Sequence, residues 1–152
     1  MPLSNSLHAR FRWVYFAAAV LSLIGLGDSI YLTIKHLTGQ NVQCTVSTGC
    51  EEVLGSAYAT LLGYPLAAFG ALAYFTVFSL VTLAMFGYRY VRPALIIVVA
   101  VMTVMTLRLL YIQAFVLGKY CEFCLLSAAV TLSIAGLMVL ILFGSQEKKV
   151  EE

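Results

Sequence analysis

The chain has 152 residues, 62% of them hydrophobic and 11% charged, with a mean hydropathy of +0.97. That composition excludes a soluble domain of this length and belongs in a bilayer. The net charge of +2 is not gathered into a basic patch, so no nucleic-acid partner is indicated.

In chain order, residues 1–12 form a short basic N-terminal segment, followed by an apolar run from Trp13 to Leu37. Arg10 and Arg12 ahead of Val14 to Leu26 resemble the start of a signal peptide. The apolar character resumes after Asp28 and reaches Ile34, which is too long for a signal core, so the run reads as a retained helix. Next comes an outer segment, residues 38–64, polar at its start and patterned at its end. Thr48-Gly49-Cys50-Glu51 fits a capping box with Thr48 as N-cap, and Val53, Leu54, Ala57, Tyr58, Leu61 and Leu62 then recur on one helical face. This predicts a short amphipathic helix lying over the mouth of a bundle.

Three further apolar runs follow, about 65–87, 93–118 and 121–144, and a polar tail from Ser145 to Glu152 is expected to fray. Each run meets the roughly 20 residues that a ~30 Å hydrocarbon core requires. They are continuously apolar rather than alternating, which argues against a strand barrel. The expected fold is therefore an all-α membrane protein: one four-transmembrane-helix domain over 13–144, with an outer loop and short helix capping the extracytoplasmic end. Arg10, Arg12, Arg89, Arg92, Lys148 and Lys149 fall on one side of these spans and Lys35 and Lys119 on the other. This asymmetry puts both termini in the cytoplasm of a multi-pass inner-membrane protein, with the cysteines on the oxidising face.

Those cysteines come in two pairs, Cys44/Cys50 in the outer segment and Cys121/Cys124 at the start of the last run. Six positions in a loop allow a small disulfide ring, and C-x-x-C sets two sulfurs about one helical turn apart. Cys50 and Cys121 both fall at expected helix N-termini, where partial positive charge stabilises a thiolate. The first pair could simply staple its loop. A shared zinc site is disfavoured by the six-residue spacing and the lack of a nearby histidine, so no metal is expected. Leu125 rather than His after Cys124 argues against haem attachment. Cys124 lies one turn into the membrane with Leu125 and Ala128 after it, which suits a lipid-soluble partner such as a quinone.

Ser29-Ile30-Tyr31-Leu32, Cys50-Glu51-Glu52-Val53-Leu54-Gly55-Ser56, and Phe115-Val116-Leu117 leading into Tyr120-Cys121-Glu122-Phe123-Cys124 together resemble the vitamin K epoxide reductase family, in its prokaryotic disulfide-forming branch. The order of the motifs discriminates, because the similar four-span DsbB family carries its C-x-x-C in the first outer loop. The resemblance implies a membrane thiol-disulfide oxidoreductase. Cys44 would exchange with a partner, Cys50 with Cys121, and Cys124 would face a quinone: ubiquinone, menaquinone or phylloquinone (vitamin K). Ser56 would support the loop near the ring. Animal members hydrogen-bond the quinone through an asparagine and a tyrosine whose neighbourhoods here hold Leu66 and Ala128. Some bacterial relatives carry a fused thioredoxin-like domain. Because this sequence stops at Glu152, the resemblance implies a separate thioredoxin-fold partner of the DsbA kind.

Phe69 and Phe123 are further candidates for lining a ring pocket, beside the usual role of bundle aromatics in packing. Asp28 and Arg108 lie at matching depths inside their spans, which suggests an interhelical ion pair or, alternatively, a role in proton delivery. His36 reads as an interfacial residue, Tyr31, Tyr111 and Tyr120 as boundary anchors, and Gly70 as a close helix contact. The competing functional class is a transporter or scaffold with two structural disulfides. It leaves the inward-directed second sulfur of the C-x-x-C without a purpose.

Overall fold

The computed structural model describes residues 3–46, 49–88 and 90–150, and the side chains of 12–46, 49–88 and 90–143 among them. Thr48 and Arg89 lie outside the described residues, as do the side chains of Arg10, Lys148 and Lys149. Four long helices carry the fold: α1 (Leu3–Leu37), α3 (Leu66–Met85), α4 (Val91–Tyr111), which continues as a π-helix over Ile112–Leu117, and α5 (Glu122–Val150). The lengths apolar enough to cross a membrane are Arg12–Leu37, Leu66–Met85, Val91–Leu117 and Glu122–Phe143. The backbone of α5 continues through Val150, so helix replaces most of the frayed tail expected from Ser145.

Helix α1 packs against α3 and α5, and α4 packs against the same two, so α1 and α4 stand across the bundle from each other. Tyr15, Ala18, Tyr74, Val77, Leu95, Val99, Ile134 and Met138 form its buried core toward the end that carries the termini. Outward residues such as Ile97, Val104, Phe115 and Leu140 are more than half exposed, an apolar surface that only lipid would cover. Gly70 provides the close helix contact expected of it, since a Cβ there would come within 3.1 Å of Ser29 Oγ on α1. Tyr74 fills the space left by Gly25 on α1 in the same way.

The outer segment departs from the single amphipathic helix read in the sequence. Helix α2 is only Cys50–Leu54, with Gly49 rather than Thr48 at the N-cap and Gly55 at the C-cap. A 3₁₀ turn, Ala57–Ala59, and a two-stranded hairpin follow, β1 (Thr60–Leu61) against β2 (Tyr64–Pro65), pairing Thr60 with Pro65 and Leu61 with Tyr64. Leu62 and Gly63 at its tip both have positive φ, the geometry of a two-residue hairpin turn. Pro65 explains the break: it holds the residue before it extended and then starts α3, where a missing N–H costs nothing. Leu62 is consequently 88% exposed rather than packed on the bundle.

Tyr74 reaches across from α3, and its hydroxyl bonds the Ser127 carbonyl (2.9 Å), Ser127 Oγ (2.9 Å) and Thr131 Oγ1 (2.8 Å) of α5. Replacing Tyr74 with Phe is expected to destabilise the bundle by roughly 0.6 to 1.7 kcal/mol, the range for interhelical hydrogen bonds in membrane proteins. Reversible unfolding of both proteins in mixed micelles with increasing SDS measures it.

Candidate functional site

Helices α1 and α4 end, and α3 and α5 begin, at one end of the bundle, which gathers all four cysteines there. Cys44 and Cys50 form a disulfide with Cα atoms 5.7 Å apart. Cys121 and Cys124 are free thiols, the first buried and the second partly so. Cys50 and Cys121 belong to one buried cluster with Leu32, Val42 and Val53, against which Cys44, Phe123 and Cys124 also pack. The spacing of the pairs in sequence, some 70 positions, is thus closed in space by the docking of the outer segment.

Three contacts hold that docking. Gly49 lies so close to the turn before α5 that a Cβ would fall 2.6 Å from the Tyr120 carbonyl oxygen. The Glu122 carboxylate accepts hydrogen bonds from Thr45 N (2.7 Å), Thr45 Oγ1 (2.9 Å) and Val46 N (2.9 Å), tying the chain beside Cys44 to the residue beside Cys121. Lys119 Nζ stands 3.4 Å from Glu52 Oε1 of α2, a half-exposed pair that adds little.

On the other side, Cys121 is placed by the end of α4. The π-helical turn buries Gln113, whose Oε1 accepts from Cys121 N (3.2 Å) while its carbonyl accepts from Lys119 N (3.2 Å). Gly118, at φ 59°, makes the left-handed turn that reverses the chain. The Cys121 carbonyl then accepts from Leu125 N (2.9 Å), which makes Cys121 the N-cap of α5. Its sulfur occupies the place a capping oxygen would take. The Cys124 thiol and the backbone N–H groups of Cys124 and Phe123 all hydrogen-bond that sulfur, and together they push the Cys121 thiol down to about 7 against the opposing effects of burial and the Asp28 charge.

Below the cysteines lies an apolar cavity of about 340 Å³, within the usual range for small-molecule sites, which run roughly 300–1,000 Å³. Cys124 opens onto it, as do Ser56, Leu66, Phe69 and Ala128 among the residues singled out from the sequence. Ser56 also donates to the Val53 carbonyl (2.7 Å), which steadies the cap above the cavity. Phe123 does not line the cavity. Its ring stacks at 5.4 Å on Tyr31, because one residue before Cys124 is about 100° away around the helix. Polar groups in the wall come from every side: Asp28, Ser29 and His36 from α1, Ser56 and Tyr58 from the cap, Tyr74 from α3, Thr106 from α4, Gln113 from the π-turn, and Ser127 and Thr131 from α5.

The expected ion pair between Asp28 and Arg108 is absent. Asp28 Oδ2 is buried and has no hydrogen-bond partner, and Arg108 sits exposed on α4, across the bundle, where its long side chain can extend toward the polar boundary. Equal depth did not make them neighbours, because the cavity lies between their helices. His36 lines the cavity mouth and is exposed, as are Tyr31, Tyr111 and Tyr120. Among the described residues, no group of three or more His, Cys, Asp or Glu is placed to hold a metal ion.

Glu122, Gln113 and Tyr74 escaped the sequence reading. Gln113 carried a usable signal, as a buried-length amide in an otherwise apolar run eight residues before Cys121. Tyr74 carried none that separates it from the other bundle aromatics.

Four membrane-length helices, with a disulfide and a dithiol meeting over an apolar cavity, define a polytopic helical membrane protein built around thiol chemistry. The vitamin K epoxide reductase family model matches residues 16–139, and the chain belongs to that family. Its members are membrane oxidoreductases that in general use quinones as electron acceptors and work with thioredoxin-like partners.

Two outcomes follow from this geometry. In a Cys124→Ser protein carrying the Cys44–Cys50 disulfide, Cys121 is expected to attack Cys50, forming a Cys50–Cys121 bond and freeing Cys44 as a thiolate. Only the thiolate attacks, so the rate should rise about tenfold per pH unit at acidic pH and level off once the Cys121 thiol is ionised, as read by acid quenching and mass spectrometry. Glu122→Ala in that background should slow the same bond formation about tenfold at every pH, equivalent to about 1.4 kcal/mol of lost charge-assisted hydrogen bonding.

Proposed function

We propose that this protein oxidises a thioredoxin-fold partner on the extracytoplasmic face and passes the electrons to a membrane quinone. The observation that carries this reading is the burial of Cys50 and Cys121 in one cluster, with Cys124 next in line on the cavity wall. The surplus of Lys and Arg on the opposite side supports cytoplasmic termini and an outward-facing cysteine end in the inner membrane.

Electrons enter when a thiolate of the reduced partner attacks the Cys44–Cys50 disulfide. Cys44 is the partly buried member and Cys50 the buried one, so attack from outside falls on Cys44 and releases Cys50 inward. The second partner thiol then resolves the mixed disulfide. Cys50 attacks a Cys121–Cys124 disulfide at Cys121, which releases Cys124 into the cavity. Closure of Cys44 on Cys50 leaves Cys121 and Cys124 reduced. That combination, one disulfide above and one dithiol below, is the redox state of the structure. Oxidation of the dithiol then reduces a quinone to the quinol, and the cycle returns to its start with one new disulfide in the partner.

The residues present fit such a substrate. The cavity is apolar, reaches Cys124, and is floored by the Tyr74 hydroxyl and its α5 partners. Leu66 and Ala128 offer no hydrogen bond to a carbonyl oxygen, so the polar contacts to the ring fall to other groups in the wall. Hydroxyl and amide groups of the lining, among them Ser29, Tyr74, Gln113, Ser127 and Thr131, are able to make them.

Anaerobic reduction of the purified protein, followed by ubiquinone, menaquinone or phylloquinone, tests the reading. Two thiols should disappear for each quinol formed. Cys124→Ala should form no quinol yet still exchange its Cys44–Cys50 disulfide with a reduced thioredoxin-fold protein. Quinol formation at full rate by Cys124→Ala sinks the scheme, and so does trapping that finds only Cys44–Cys50 and Cys121–Cys124 bonds, as a scaffold would give.

A further inference from the structure

Asp28 is a carboxyl set into the wall of an apolar cavity inside the bundle, with Oδ2 buried and unpartnered. Such a group is costly in hydrocarbon, and Arg108, the cation at its depth, does not reach it. Nothing in the packing uses it: the adjacent Ser29 fills the contact with Gly70, and Tyr74 is satisfied by Ser127 and Thr131.

The quinone half-reaction needs a proton carrier in this place. Two S–H bonds break and one S–S bond forms between Cys121 and Cys124. Two electrons pass to the ring, and its two carbonyl oxygens each gain a proton. Most of the cavity lining is apolar, and its hydroxyl and amide groups do not titrate in the range where a thiol gives up its proton. The other titratable groups facing the cavity are each less suited: His36 of α1 and Tyr58 of the cap are exposed at the mouth, and the Tyr74 hydroxyl of α3 is engaged three times. Helix α4 contributes Val101, Met102, Met105, Thr106 and Leu109 to the wall, none of them titratable. Cys121 and Cys124 of the α5 start are the proton donors themselves.

We propose that Asp28 is the general acid–base of quinone reduction, taking a proton from the Cys121/Cys124 dithiol as its disulfide closes and delivering it to a quinone carbonyl oxygen. Asp28 ends each turnover in the protonation state in which it began, so the step consumes nothing beyond dithiol and quinone. The proposal rests on the quinone-reducing reading above, and the test separates the two.

Full-length protein, reduced anaerobically in lipid nanodiscs, is mixed rapidly with a short-tailed naphthoquinone, and quinol absorbance is followed through one turnover across pH. In Asp28→Asn, quinol formation should slow about a hundredfold, the low end of general acid–base contributions. Quinone affinity should stay at the wild-type level, Cys50–Cys121 bond formation should not slow, and Asp28→Glu should recover most of the rate. Wild-type speed in Asp28→Asn overturns the proposal while leaving the function intact. A loss that Asp28→Glu does not recover, or one matched by an equal loss of quinone affinity, overturns it too, since either marks a packing or binding role. If Asp28→Asn does not fold, Asp28→Glu carries the test alone: its pH midpoint for quinol formation must move, and a profile identical to wild type overturns the proposal. Failure of the wild type to make quinol at all sinks the functional reading instead.

Discussion

The docking of the outer segment onto the turn before α5 is the constraint on which this structure depends. Helix packing alone would bring the ends of four spans together, but it would leave the Cys44–Cys50 loop free above them. Gly49 against Tyr120 and the Glu122 carboxylate against Thr45 and Val46 convert that loop into a lid with a fixed register. The two contacts act differently. A glycine at the closest approach sets distance by having no side chain, whereas the carboxylate sets orientation, because its two oxygens face consecutive backbone N–H groups. Thiol-disulfide exchange is sensitive to both, since the attacking sulfur must approach the disulfide from a defined direction.

The same turn shows how a buried sulfur can still favour its thiolate. Burial by itself disfavours a thiolate, and Cys121 is wholly buried. Its position as N-cap offsets this: the sulfur receives the backbone donors that begin a helix, along with the Cys124 S–H. Gln113 matters in this respect, because the π-turn that buries it also fixes the Cys121 N–H and so the direction of the cap. A π-turn at the end of a membrane helix is a local irregularity that the neighbouring chain satisfies, as irregular backbone at such depth requires.

What the sequence disclosed and what it concealed divide along the range of the interactions. Membrane spans depend on the length of an apolar run, and the four runs are plain in the chain. The family motifs are equally local, so the resemblance led to the same family that the model match assigns. The cap was legible only in part. Periodicity from Val53 to Leu62 fits a helix, but the turn chemistry of Gly55, Gly63 and Pro65 outweighs it and yields a short helix and a hairpin. The Asp28–Arg108 pair failed for a further reason: depth in the membrane is one coordinate, and facing is a second that depends on which helices are neighbours. Glu122 was hidden because a residue between two cysteines gives no sign of whether it meets solvent or a loop some 76 positions away.

The cavity also has a floor. Tyr74 closes it from α3, bonded to Ser127 and Thr131 one and two turns below Cys124 on α5. Ala128 beside it is small and buried, so space is left at the level just beneath the Cys124 sulfur and is taken away below that. A larger residue at 128 would fill the level just beneath the Cys124 sulfur. Beyond the floor, the bundle packs densely through Val77, Val81, Ile134 and Met138 toward the end that carries the termini. Under the proposed reading, a quinone ring would rest above this floor, beneath the cysteines.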